Sequence, residues 1–115
     1  MKCSGQVVLF RFPYTDLKIG KLRPALLLKK LPGGYGDWLI CMISSQTQQF
    51  VPGFDELIDE NASDFISSGL KVKSIIRVGR LAVVNEEILV GKIGEIAADR
   101  LKRIQSNLAS WILSS

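Results

Sequence analysis

Short apolar runs separated by turn residues fill the first eighty or so positions, and a helical period replaces them only near the end. Residues 6–12 (QVVLFRF) are rich in β-branched and aromatic side chains and predict a first strand, ended by Pro13 and the polar Thr15-Asp16. Residues 13–22 read as an exposed hairpin loop carrying Lys18, Gly20 and Lys21. Residues 24–29 (PALLLK) predict a second strand, since proline is accepted at a strand's first residue, where no ladder donor is needed. Pro32-Gly33-Gly34-Tyr35-Gly36 is a turn. Residues 38–43 (WLICMI) are apolar at both parities, as in a strand buried on two faces. The polar Ser44-Ser45-Gln46-Thr47 then predicts emergence at the surface.

The pattern weakens between Pro52 and Gly69, where residues 56–59 suggest an edge strand. After Gly69-Leu70 come predicted strands over 73–78 and 80–84, a turn at Asn85-Glu86, and a strand over 92–96. Bare sheet edges invite pairing with other chains, so closure into an antiparallel barrel is expected rather than an open sheet. Leu101, Ile104, Leu108 and Trp111 step by three and four, which puts them on one helical stripe facing that barrel. Asp99 suits the first turn of this helix, although no strong N-cap precedes it. The length fits one mainly β domain spanning residues 1–115.

Composition narrows the picture. Hydrophobic residues make up 47% of the chain, which excludes a disordered or fibrous class. A formal charge of +4 favours an anionic partner, a bias that many ordinary domains share. The chain has no histidine, so any hydrolysis must proceed without the commonest general base and metal ligand. Cys3 and Cys41 do not form a disulfide framework, and Cys41, inside an apolar run, reads as a buried inert thiol. No spacing of metal ligands occurs, so neither a metal nor another cofactor is expected. Residues 1–5 lead into no long apolar stretch and no run is long enough to span a membrane, which predicts a cytoplasmic location.

Two places bring polar groups to the ends of apolar strands. Arg23 precedes Pro24, which restricts it to an extended conformation at the mouth of the second strand. Ser44-Ser45-Gln46 stands at the exit of the third. In an antiparallel hairpin the start of one strand lies opposite the end of the next, so Arg23 and Ser44 are expected at one rim. A guanidinium beside a hydroxyl suits phosphate, because arginine presents a planar fork to two oxygens and stays charged. In RNA the ribose 2′-hydroxyl can attack the adjacent phosphate, leaving the protein to place that phosphate and stabilise growing negative charge. Taken alone, the same residues also fit a solvated strand edge and a turn.

The ordered set Gly5-Gln6-Val7-Val8-Leu9-Phe10, Phe12-Pro13-Tyr14-Thr15-Asp16, Lys21-Leu22-Arg23-Pro24-Ala25 and Ile43-Ser44-Ser45-Gln46 resembles the MazF/PemK (Kid-like) toxins of type II toxin–antitoxin systems. Ser74-Ile75-Ile76-Arg77 and Ile93-Gly94-Glu95-Ile96 fit the same family, so the likeness covers nearly the whole chain. The resemblance implies a CcdB/PemK-type, SH3-like antiparallel barrel with a C-terminal α-helix, a homodimer, and an antitoxin partner. It also implies metal-independent cleavage of single-stranded RNA, leaving 2′,3′-cyclic phosphate and 5′-hydroxyl ends. By the same resemblance Arg23, Ser44 and Arg77 are the catalytic candidates, with serine standing where threonine is usual. Gly79 occupies the place of a family aspartate, and the glutamate often found in the first loop is also missing, replaced by the Asp16 to Lys21 stretch, so the general base is unassigned. Tyr14, Lys18, Lys21 and Gln46 are candidates for RNA binding, Tyr14 by stacking and the lysines by charge. Trp38 is expected in the core or a dimer interface.

Two other functions fit parts of the chain. A CcdB-like gyrase poison carries a Trp-Gly-Ile tail, which Trp111-Ile112 matches only faintly; placement of Trp111 on the apolar stripe predicts burial instead. A non-catalytic nucleic-acid-binding barrel would account for Gly79 and for serine at position 44.

Overall fold

Each apolar run becomes a strand of one antiparallel sheet. The computed structural model describes residues 2–11 and 22–115. Within them lie β1 (Gln6–Arg11), β2 (Leu22–Lys30), β3 (Asp37–Ser44), β4 (Glu56–Ile58), α1 (Phe65–Ser68), β5 (Ser74–Asn85), β6 (Leu89–Glu95) and α2 (Ala98–Leu113). Phe12, Tyr14, Asp16, Lys18 and Lys21, with the rest of the predicted hairpin loop up to Lys21, lie outside the described residues. The strands predicted over 73–78 and 80–84 are one, β5. The predicted turn at its end is a 3-10 turn, Glu86–Ile88, in which the Asn85 side chain accepts a hydrogen bond from Glu87 N–H.

The sheet order is β4-β5-β3-β2-β1-β6. Both faces of β3 are buried, as its unbroken apolar run predicts. Cys41 and Ile43 join Val7, Leu26, Ile76 and Val78 in a core completed by Ile104 and Leu108 of α2. Trp38 and Ile40 join Val8, Phe10, Ala25 and Leu27 in a second core on the opposite face. Trp38 is therefore a core residue. Cys41 is fully buried, and that burial, helped by the charge of Asp55, pushes its thiol far above the ordinary value.

The expected closed barrel is not found: the sheet stays open, and among the described residues β4 and β6 do not pair. Side chains tie β4 to α2 and to the segment before α1. Arg100 of α2 donates to Glu56 Oε1 at 3.1 Å and to the Leu57 carbonyl at 2.9 Å, both on β4. The same guanidinium donates to both oxygens of Asp64, just before α1, at 2.8 and 3.1 Å. Asp64 Oδ2 also accepts from Ala97 N–H at 3.0 Å, so it caps α2 from outside the local sequence. Meanwhile α1 packs against β6, where Gly94 meets the backbone of Ser67 and Ser68 too closely for any side chain. That close approach seats α1 on β6 beside Gly94.

The stripe on α2 is only partly buried. Ile104 and Leu108 are in the core, whereas Trp111 is 56% exposed, contrary to the burial expected of it. The physical reason is reach: α2 runs on past the core, and Trp111 meets the Phe54 ring edge to face, at a centroid distance of 5.8 Å.

Candidate nucleic-acid interface

The rim predicted from hairpin connectivity exists. Ala25 of β2 pairs with Met42 of β3, and continuing that register places Arg23 opposite Ser44. Both side chains are half-buried and line two adjoining cavities, of about 580 and 570 Å³. Arg77 of β5 pairs with Met42 from the other side and lines the second cavity beside Arg23 and Ser44. The three catalytic candidates therefore converge on one groove.

The local geometry of Ser44 prepares it to donate. Its Oγ accepts Gln46 N–H at 3.0 Å, which fixes the hydroxyl oxygen and leaves the O–H available to an acceptor in the groove. Gln46 lines the first cavity, and its own Oε1 accepts from Gln48 Nε2 at 2.9 Å. Among the described residues the Gln46 amide hydrogens have no acceptor.

A break in the ladder shapes the second cavity. Met42 pairs with Arg77, yet the next residue back, Cys41, pairs with Leu81. Residues 78–80 are thus an excursion from β5, a bulge of the kind that re-aims side chains near functional sites. Val78 turns into the core, while Gly79 and Arg80 are exposed and line the groove. At Gly79, an added Cβ would stand 3.1 Å from Phe54 Cε2, so a side chain requires the ring to give way. Asp55 bonds the same excursion through Val78 N–H, at 3.0 Å, and its other oxygen accepts Val51 N–H at 3.0 Å. It is a structural acid, committed to the backbone.

Sequence reasoning missed two cations. Lys71 lines the first cavity and Arg80 the second, which with Arg23 and Arg77 makes four positive side chains. Among the described residues no carboxylate lines either cavity. The only signal was a basic bias over residues 71–80, which local pattern does not distinguish from a solvated surface. Also among the described residues, no cluster of three His, Cys, Asp or Glu side chains is arranged to hold a metal ion.

An open antiparallel sheet of six strands with a C-terminal helix is a fold found among toxins of toxin–antitoxin systems. The chain matches the model of the PemK-like, MazF-like toxins of type II toxin–antitoxin systems over residues 4–112, and it belongs to that family. Its fold is shared by many solved structures, two of them as follows. One is an endoribonuclease in complex with its cognate antitoxin from Mycobacterial species, with a TM-score of 0.68 and 18% identity, covering 100% of this chain and 99% of the other. The second is the Mycobacterium tuberculosis toxin MazF-mt6, with a TM-score of 0.66 and 15% identity, covering 96% of this chain and 99% of that one. No curated protein sequence matches the chain. No helix among the described residues is long and apolar enough to cross a membrane.

Proposed function

We propose that this toxin is a metal-independent endoribonuclease acting on single-stranded RNA in the cytoplasm. The observation that carries this reading is the meeting of Arg23, Ser44 and Arg77 at one groove, which no carboxylate lines among the described residues. In the proposed step the 2′-oxygen attacks the adjacent phosphorus and the bond to the 5′-oxygen breaks. The products are a 2′,3′-cyclic phosphate and a 5′-hydroxyl. The 2′ proton passes to solvent, and the 5′-oxygen takes one up. Arg23 binds the phosphate through its two-pronged guanidinium, Ser44 donates a hydrogen bond to a phosphate oxygen, and Arg77 offsets the charge that grows in the transition state. Gln46 contacts the strand beyond the rim, and Tyr14, Lys18 and Lys21 bind RNA from the first loop.

The test is incubation of purified protein with a long single-stranded RNA in EDTA, followed by mapping of the ends. Cuts with cyclic-phosphate termini are expected, and loss of one oxyanion donor in Arg23→Ala or Ser44→Ala should lower kcat by roughly 10²–10³. Binding without cutting, unchanged by Arg23→Ala, would instead favour the non-catalytic module.

Regulation follows from the same surface. A cognate antitoxin with an acidic segment that orders on contact would fill the basic groove. The functional unit is a homodimer in this reading. Trp111, Ile112 and Leu113 at the end of α2 are exposed and supply apolar surface for it. Sedimentation of the purified toxin, alone and with the protein encoded beside it, checks both partners.

A further inference from the structure

Each of the two cavities holds a cation that the proposed chemistry leaves without a task. Arg23 and Ser44 line both cavities, so their rim divides one continuous groove. Lys71 lies only in the first compartment and Arg80 only in the second. Both are exposed, and neither forms an ion pair with another described residue.

The backbone under each cation is fixed by features already described. Lys71 follows Gly69, which ends α1 in the left-handed region at φ 76° and sits so close to the Ile93 carbonyl that no side chain fits there. This turn sets the direction of the chain as it enters the cavity wall. Arg80 stands in the β5 excursion, re-anchored on both sides by Arg77 opposite Met42 and Leu81 opposite Cys41. A cation on each side of a phosphate-binding rim is what an extended polyanion requires. Proteins that track single strands use such a basic groove along the backbone.

We infer that the two compartments are the two arms of one strand-binding groove, in which Lys71 and Arg80 hold the phosphates flanking the one at Arg23 and Ser44. The inference rests on the RNA reading above and extends it to residues that position the strand without touching the reacting atoms. It predicts a division of labour. Loss of Lys71 or Arg80 raises KM and leaves kcat within about twofold, whereas loss of Arg23 lowers kcat.

The experiment measures binding of a labelled single-stranded 2′-O-methyl RNA, which cannot be cut, across 50–200 mM KCl. Each neutralised phosphate contributes roughly 0.7 to the slope of log K against log salt for single strands. Lys71→Ala and Arg80→Ala should each reduce the slope by about that amount, so each loses about 2.6-fold less affinity over this range than the parent. The double variant should lose twice as much slope, Lys71→Arg should keep the parental value, and Lys102→Ala on the exposed face of α2 should change nothing. Trimming the oligonucleotide from one end should silence one variant, and trimming it from the other end should silence the second. A parent that cuts RNA through Arg23 while both variants keep its slope, or respond alike to either trimming, overturns the inference alone. A parent that neither binds nor cuts RNA overturns the functional reading as well.

Discussion

Replacing Asp64 with asparagine tests how the open sheet is held together. Asp64 is 5% exposed and Arg100 is 9% exposed, and the two exchange a bidentate contact at 2.8 and 3.1 Å. Asparagine keeps the size and can still accept from Ala97 N–H, but it leaves the guanidinium with less than its charge requires. Breaking one side of a buried ion pair costs about 3–5 kcal/mol. Glu56 still reaches Arg100 at 3.1 Å, so the lower end, about 3 kcal/mol, is expected. Unfolding entropy of about 2.1 cal/mol/K per residue, over 115 residues, converts each kcal/mol into about 4 °C, giving a fall in Tm of about 12 °C. Asp64→Ala also removes the cap on α2 and should cost about 1 kcal/mol more.

The pH dependence carries a definite sign. Burial raises the Asp64 carboxyl, but the hydrogen bonds from Arg100 and Ala97 and the charge of Arg100 outweigh it and hold the group below its ordinary value of 3.8. A lowered folded pKa gives stability that is present above the ordinary value and lost as pH falls through the folded one. The gap between parent and Asp64→Asn should therefore be constant from neutral pH to about 5 and shrink below about 4. Urea unfolding at several pH values, with unchanged m, measures this. As a control, Arg103→Ala removes an exposed partner of Glu56, 3.0 Å away, and should cost no more than about 1 kcal/mol. If Asp64→Asn costs less than that control, the reasoning is wrong.

Other outcomes follow from packing. Gly94→Ala should cost at least about 2 kcal/mol, because its Cβ would collide with the Ser67–Ser68 backbone, while Gly91→Ala, with nothing near, should stay within about 1 kcal/mol by chemical denaturation. In the native protein a thiol reagent should modify Cys3 alone, and Cys41 should react only on unfolding; rapid labelling of two thiols would contradict the burial of Cys41. Trp111→Ala should cost the isolated fold less than about 1 kcal/mol, because most of the ring faces solvent, and should weaken self-association seen by sedimentation.

The strands were legible because an alternating or doubly apolar run reports burial directly, and β1 to β3 follow their runs within two residues at the ends described. The rim was legible too, since hairpin connectivity alone puts Arg23 opposite Ser44. Arg77 entered only through family resemblance, because nothing local ties β5 to β3. What stayed hidden depends on contacts distant in sequence. The cap of α2 comes from Asp64, 33 residues before Ala97, so inspection of the helix start could not find it. That the sheet stays open is a relation between β4 and β6, which are far apart in sequence. The exposure of Trp111 reflects where the core ends, which a helical stripe does not encode.

The excursion in β5 separates two requirements that usually compete. The ladder breaks after Arg77 and resumes at Leu81, and of the three residues between them only Val78 enters the core. Added or deleted residues at that apex can therefore reshape one end of the groove without shifting the register of any other strand. A change in the shape of the groove has a place to occur there at little expense to the ladder, beside the proposed site.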